Sequence, residues 1–571
     1  MNSQESNKFF RKNLVLGLIV LTLILIILYL MTRTFLFIIA DYAWYEKFFG
    51  LLLLMAQAFV LTHGFGYFLN LFRVINTQGK AGSDSSLVQA SLIEYPPVAI
   101  IVSSFREPLH VVEDTIISFY NLTYPNKKIY FLDDTRYDLP DWKPGEAKQY
   151  RRQVDDLCRR IGVSLFRRRW RGAKAGMIND FVSFLDGNPP EGFEFNSFVQ
   201  GDAIRPGDEK YIVVFDADQN PLPDFAEPLV ARMEANPTVA FIQTPQYYSN
   251  FEHNRVSRGS GMQQAVFYEY ICEGKSQQDA MFCCGTNVIF RREALRDVGG
   301  FDESSVTEDF ATSLRFHLRG WKSAYLNKVS AFGDGPEDLG GYFKQQFRWA
   351  LGTVGLFRTI LSRFWKNPGE LPVYKWWEYM LSGTHYFVGW VLFVLVISPV
   401  LFILFNIPTY FARPELYFMF YVPYIFMTFA IFLWSLSQRH YRLTEIVNGV
   451  LLQAICFPVY MKASLLAILG YRGSFKTTPK GQSLSLPLYA LWPQVVLALL
   501  CFVSIIWAGL RIYYERELIL ALSVTAFWCL YHFLILSAAV YFNHPLENSN
   551  HSGGGDTGLG TVPGDTFPAQ R

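Results

Sequence analysis

Residues 211–218 read Tyr-Ile-Val-Val-Phe-Asp-Ala-Asp, an unbroken apolar run followed by two carboxylates one residue apart. A run this short and continuous, ending abruptly in charge, reads as a strand buried on both faces, and burial on both faces belongs to parallel sheets covered by helices. Runs of the same kind stand at 98–102, 129–132, 239–242 and 288–290, with helical spacing at 110–120, 175–185 and 225–233 between them. The alternation predicts an α/β domain with a largely parallel sheet. In such sheets ligands bind at the carboxyl ends of strands. The first run ends in Ser103-Ser104-Phe105-Arg106-Glu107, the second in Asp133-Asp134 and the quoted one in Asp216-Ala217-Asp218. One acidic residue at a strand end is an ordinary turn former. Carboxylate pairs at two strand ends point instead to a ligand, and paired hard oxygens suit Mg2+ or Mn2+. If the chain stays extended through Asp218, alternation sends the Asp216 and Asp218 side chains to the same side.

Outward from this centre the composition changes. Of 571 residues 51% are hydrophobic and only 18% charged, more apolar mass than a soluble core needs. The apolar excess gathers at the two ends of the chain. A net charge of +2 gives no electrostatic reason to expect nucleic acid as a partner. The 7 cysteines form no C-x-x-C pair, so they read as reduced thiols without a disulfide framework or zinc site.

Residues 14–31 carry no charge over about 18 residues, nearly enough to cross a bilayer core at about 1.5 Å per residue. Lys8, Arg11 and Lys12 precede them, which puts the N-terminus inside. A second span at 48–72 ends at Arg73, so 1–75 holds two membrane helices. Four further spans are expected, two within 375–440 and two within 485–543. The stretch 447–470 contains Gln453, Pro458 and Lys462 and reads as interfacial or re-entrant, because an unpaired lysine at bilayer depth costs several kcal/mol. Six spans keep the polar centre and the basic loop 472–480 on the cytosolic side. The Gly/Ser/Asn-rich tail 544–571 is expected to be disordered.

Two more constellations lie in the polar centre. Thr307-Glu308-Asp309 opens a helix whose Phe310, Leu314 and Leu318 share one face, with Thr307 as its expected cap and Asp309 in the first turn, where the helix dipole favours a carboxylate. Gln345, Arg348 and Trp349 share a helical face, joining an amide, a phosphate-matching guanidinium and a ring that stacks on sugars. Read without the other motifs, that helix, over 336–366, equally fits an amphipathic segment lying at the membrane surface.

In this order, Asp133, then Asp216-Ala217-Asp218, then Thr307-Glu308-Asp309, then Gln345-Gln346-Phe347-Arg348-Trp349 resembles the D, DxD, (T/S)ED, QxxRW series of processive family-2 glycosyltransferases, the group of cellulose, chitin and hyaluronan synthases. Lys174-Ala175-Gly176 resembles the family's KAG segment. Phe282-Cys283-Cys284-Gly285-Thr286-Asn287 resembles its FxCG(S/T)N acceptor segment. Phe475-Lys476-Thr477-Thr478-Pro479-Lys480, within 471–483, resembles the FxVTxK gating loop, with Thr477 in place of valine.

The resemblance implies a GT-A-type α/β glycosyltransferase domain at 95–335 inserted between transmembrane helices, in a multi-pass protein of a bacterial inner membrane with its catalytic domain cytosolic. It assigns Asp216 and Asp218 to the metal, and Asp309, with Glu308 beside it, to catalysis as the general base of an inverting step. Asp133, Asp134, Lys174, Phe105, Glu107, Gln345 and Arg348 go to the nucleotide diphosphate. Trp349, Cys284, Gly285 and Thr286 go to the acceptor, and Phe475, Thr478 and Lys480 to the gate. The implied partners are a UDP-sugar, the growing polysaccharide, the lipid bilayer and an export partner beyond the membrane. Trp376, Trp377, Tyr386, Trp390 and Trp492 are candidates for stacking along a polymer channel, the first two reading better as interfacial aromatics. A β-glucan from UDP-glucose is favoured, while Gln345-Gln346 points toward synthases using UDP-N-acetylglucosamine. Single-sugar transfer to a lipid carrier and a transporter with a non-catalytic nucleotide domain are the rival readings. Some family members end in a cyclic-di-GMP-binding domain, and the stretch after the last span is too short to lead one to expect it.

Overall fold

The computed structural model describes residues 3–77, 92–199, 206–411, 414–471, 485–515 and 518–544. The gating-loop residues Phe475, Thr478 and Lys480, and the tail beyond His544, lie outside the described residues.

The strands in chain order are β1 (Val98–Ser104), β2 (Lys127–Asp133), β3 (Ser164–Arg167), β4 (Glu194–Ser197), β5 (Tyr211–Asp216), β6 (Asn220–Pro221), β7 (Val239–Gln243), β8 (Tyr247–Tyr248), β9 (Val288–Arg291), β10 (Lys322–Tyr325) and β11 (Ala331–Gly333). Eight of them form one sheet in the order β10-β7-β9-β5-β1-β2-β3-β4, and β6, β11 and β8 form a small second sheet. β1 pairs in parallel with both β2 and β5, whereas β9 runs antiparallel between β5 and β7, and β4 antiparallel to β3. The expected parallel sheet is therefore mixed. Along β1, Val98, Ile100 and Val102 enter the core on one side of the sheet while Ala99 and Ile101 enter the core on the other. Burial on both sides is why the run carries no polar residue.

Register decides where the acidic ends fall. Ser104 pairs with Asp133 and Ser103 with Asp216, so β1 stands between them and the two carboxylates sit about 10 Å apart across its end. Beyond Asp216 the strand stops, and Gln219 N–H closes a turn onto the Asp216 carbonyl at 3.1 Å. The strand alternation expected to align Asp216 with Asp218 ends there, because Asp218 lies in the turn.

Among the described residues, 6 helices are long and apolar enough to cross a membrane, at Arg11–Ile39, Trp44–Thr77, Val373–Phe405, Glu415–Ser437, Leu488–Glu515 and Ile519–Asn543. The stretch read as interfacial is two helices, Leu443–Ile455 and Phe457–Ile468, bent by 47°. Pro458 explains the break, since it cannot donate into the preceding turn. A buried ion cluster joins the catalytic domain to these helices: Glu378 pairs with Arg73 at 2.7 Å and with Lys275 at 2.7 Å. Removing one partner leaves a buried charge unpaired, so Glu378→Gln is expected to destabilise the protein by about 3–5 kcal/mol, read as a lowered midpoint of thermal unfolding.

Candidate functional site

The QxxRW residues lie on the helix Leu339–Lys366, started by Asp338, whose carboxylate accepts the Gly341 N–H at 2.6 Å. This helix crosses the start of the helix Glu308–Leu318 at Gly352. A Cβ at Gly352 would stand 2.4 Å from Thr307 Cγ2 and 3.0 Å from the Thr307 backbone nitrogen, so only glycine permits the crossing. A glycine inside a helical pattern was the available sign of this contact. Thr307 is the residue before the helix, but its side chain does not cap it and its hydroxyl turns toward Ser305 at 3.3 Å. The first turn is served by Asp309 instead, whose Oδ1 accepts the Phe310 N–H at 2.7 Å. Gly352→Val is expected to push the helices apart and lower turnover about 10–100-fold, checked by steady-state kinetics on the purified full chain.

Lys174 organises the charged centre. Its ammonium pairs with Asp216 and donates to the Gly285 carbonyl at 2.7 Å. Burial alone would pull its pKa down, but Asp216, Glu308 and Asp309 outweigh that and raise it. Burial, reinforced by the neighbouring Glu308 and opposed by the Phe310 N–H and Lys174, pushes Asp309 up to about 7. Glu308 is also raised, by burial first, with Lys174 and Arg348 acting against it. Arg348 thus acts on the same charged cluster as Lys174, joining the QxxRW helix to the Thr-Glu-Asp turn. Gly285, at φ +86°, lies close against Asp309: a Cβ there would stand 3.0 Å from Asp309 Oδ2.

The other expected nucleotide residues divide. Asp133 is buried and accepts from Arg167 Nε at 2.6 Å and from the Tyr137 hydroxyl at 2.7 Å. Asp134 is paired with Arg168 at 3.1 Å, and burial pushes it up to about 7. Lys174 therefore serves the Asp216 side of the cleft and not the Asp133 side. Phe105 and Glu107 are half-buried beyond β1, and between them Arg106, at φ +55°, turns its guanidinium onto Trp142 at 3.6 Å. The Gln345 amide oxygen is buried without a hydrogen-bond partner among the described residues. Tyr248, which sequence reading passed over, feels both the Gln345 amide and the Asp218 charge and so bridges the QxxRW helix to the DxD turn.

On the far side of Asp309 opens a cavity of about 480 Å³. Asp309, Trp349 and Cys284 stand at its domain end, while His63, Tyr386 and Gln453 come from the apolar helices and the bent pair. Its walls carry several amides, among them Gln246, Gln263 and Gln264, and its charged pair Lys275 and Glu378 is internally matched. Gln346 faces the cavity and accepts the Tyr460 hydroxyl at 3.0 Å. Thr286 is not on this wall: it is buried, and its Oγ1 accepts the Asp216 N–H at 2.9 Å. Of the five candidate channel aromatics only Tyr386 lines the cavity. Trp376 is buried and bonded to the Pro368 carbonyl, Trp377 packs edge-on to Phe65, Trp390 donates to Ser464 and Trp492 is exposed on the outer surface.

Asp216 and Asp218, two residues apart in the chain, are both partly exposed. Two hard oxygen donors with solvent access fit a Mg2+ or Mn2+ that completes its shell with phosphates and water. Among the described residues no group of three or more His, Cys, Asp or Glu side chains could hold a metal ion unaided.

Residues 211–435 match the family model described as glycosyl transferase family group 2, and residues 99–299 the one described as glycosyl transferase family 2. The cellulose synthase catalytic subunit (UDP-forming) of Pseudomonas fluorescens is 26% identical over 551 residues, covering 92% of this chain and 66% of that protein. The cellulose synthase 1 catalytic subunit (UDP-forming) of Komagataeibacter xylinus is 25% identical over 516 residues, covering 87% of this chain and 62% of that protein. The chain thus spans less than two thirds of the length of these curated relatives. A solved mannosyltransferase from Pyrobaculum calidifontis, in complex with GDP-Man and Mn2+, is 16% identical, covers 74% of this chain and has a TM-score of 0.44.

Proposed function

This chain belongs to the family-2 glycosyltransferases, in their cellulose synthase-like group, and on that premise we propose that it is a processive, inverting synthase that extends a β-glycan from a UDP-sugar. The sugar is glucose, and the product leaves through the apolar helices of a multi-pass membrane protein whose catalytic domain is cytosolic. The observation that carries this reading is the continuity of the cavity: it begins at Asp309 and Trp349 and ends among the apolar helices. The cavity gives an acceptor room to extend from Trp349 toward the apolar helices. The mainly apolar walls and the amides of Gln246, Gln263 and Gln264 among them suit a neutral chain rich in hydroxyls.

The chemistry follows from the residues. Displacement at the anomeric carbon needs a base for the acceptor hydroxyl and positive charge for the leaving diphosphate. Asp309 takes the hydroxyl proton. Its raised pKa suits it, because a base working near neutrality gains most when its pKa lies near the working pH. Asp216 and Asp218 would hold the Mg2+ or Mn2+ that neutralises the diphosphate. Lys174 and Arg348 add fixed positive charge beside it. Trp349 holds the terminal acceptor sugar against the base, with Cys284 lining the same cavity. Asp133 and Phe105 lie on the nucleotide side of β1.

The sign of the pH dependence is fixed by the direction of the shift. Asp309 is protonated, and so cannot accept a proton, until the pH passes about 7. Turnover at saturating donor is therefore expected to fall about tenfold per unit below that point, in a pH–rate profile. Donor identity is tested by offering radiolabelled UDP-glucose and UDP-N-acetylglucosamine separately. Incorporation of glucose into polymer is expected, and incorporation of the acetylated sugar alone removes the glucan assignment.

A further inference from the structure

The segment Cys284-Gly285-Thr286-Asn287 joins the two sides of the site. Gly285 lies against the Asp309 carboxylate and accepts from Lys174, while Thr286 Oγ1 accepts the Asp216 N–H at 2.9 Å. Asn287 Nδ2 donates to Gln219 Oε1 at 2.9 Å, in the turn that carries Asp218. The backbone of this segment has little local preference for its shape, since Gly285 at +86° and Asn287 at +55° both sit in the left-handed region.

One side chain supplies the missing constraint. Gln243, the last residue of β7, is fully buried. Its Oε1 accepts the Cys284 N–H at 2.8 Å, and its Nε2 donates to the Thr286 carbonyl at 2.7 Å and the Thr244 carbonyl at 2.8 Å. The Asn287 carbonyl shares the same amide at 3.3 Å. We propose that Gln243 is a positioning residue for sugar transfer, fixing the separation between Asp216 and Asp309 by holding residues 284–287 in a single conformation.

This inference rests on the glycosyl-transfer reading above and adds a residue to it. The Gln243 amide is bonded wholly within the domain and holds the Cys284 N–H and the Thr286 carbonyl, while the Asn287 carbonyl is held as well by Thr244, whose N–H donates to it at 3.1 Å and whose hydroxyl donates at 2.9 Å. Without it the segment relaxes, and Asp216 and Asp309 lose their common anchor. A displacement of about 1 Å between reacting groups lowers a rate about 100-fold. A purely structural amide would instead reduce the amount of folded protein and leave each folded molecule as active as before.

The test is Gln243→Met in the full-length protein, comparable in length and unable to make these bonds. Equilibrium UDP binding with Mg2+ counts intact nucleotide sites, and turnover with UDP-glucose is expressed per bound site. Turnover per site is expected to fall about 100-fold. Turnover per site within threefold of the parent overturns the proposal, including the case in which sites and total activity fall together. Should Gln243→Met not fold, Thr286→Val and Thr286→Ser carry the question. The valine, lacking the acceptor for Asp216 N–H, is expected to lose about tenfold per site, and the serine to restore it; equal turnover in the two overturns the proposal. The parent and Asp309→Asn in the same assay separate the layers: no sugar transfer from UDP-glucose by a parent that binds UDP fails the glycosyl-transfer reading, full turnover by Asp309→Asn removes only Asp309 as the base, and an inactive Asp309→Asn beside a fully active Gln243→Met refutes only the positioning role.

Discussion

Asp309→Asn is expected to lower sugar transfer about 1,000-fold while leaving UDP binding within a few-fold of the parent. Asparagine keeps the size of the side chain, and its amide oxygen can still accept the Phe310 N–H now bonded to Oδ1 at 2.7 Å. Only the ability to take a proton is lost. The neighbouring charges stay in place, since Lys174 retains its pairing with Asp216 and its bond to the Gly285 carbonyl. The variant should therefore separate chemistry from binding: titration with UDP and Mg2+ looks normal, and polymer formation from UDP-glucose falls to a small residual rate. Full polymer formation by this variant would remove Asp309 from the role of base. The effect also predicts a flat response to pH near neutrality in the residual activity, because the group whose titration gates turnover is gone.

Gly285→Ala is expected to be nearly as damaging although it adds one methyl group. At φ +86° any side chain is strained, by about 1–2 kcal/mol, and the new Cβ would stand 3.0 Å from Asp309 Oδ2. Either the base or the segment must move. Moving the segment disturbs the carbonyl that receives Lys174 and the Thr286 hydroxyl that receives the Asp216 N–H, so both sides of the site shift together. Turnover is expected to fall about 100-fold or more, with a melting temperature lower by several degrees, measured on the same preparation. Alanine at another left-handed glycine, Gly145, meets no atom within 4 Å and serves as the control for strain alone. If the two variants lose activity equally, contact with the base is not the cause.

The strands at the heart of the domain were legible because both-face burial leaves an unmistakable apolar run, as in 98–104 and 211–216. The four-residue strand Ser164–Arg167 was not, being too short for any period to show, and β4, exposed along most of its length, carries no burial pattern. The antiparallel insertion of β9 between β5 and β7 also left no trace, since an apolar strand reads the same in either direction. At the site, Asp309 and Trp349 line one cavity and Asp216 pairs with Lys174 beside it, but residue type alone could not orient Thr286. Gly285 beside it lies against Asp309, while its own hydroxyl turns inward to the backbone of β5. Gln243 was invisible for a related reason: its partners are main-chain groups some forty residues away, and any residue can supply those. The aromatic residues show the limit most plainly. Tyr386 and Trp492 are equally plausible as stacking platforms in a sequence, and only packing turns the first toward the cavity and the second outward.

The central claim, that this chain builds a polymer and does not add single sugars, is tested most directly by a pulse and chase on the purified full-length protein in lipid vesicles with Mg2+. A brief pulse of radiolabelled UDP-glucose is followed by excess unlabelled UDP-glucose, and product size is read by gel filtration. Processive synthesis predicts label that moves to steadily larger material during the chase, remains bound to the protein until release, and is degraded by β-glucan hydrolases. Label confined to an acceptor carrying one sugar, unchanged in size through the chase, would contradict it.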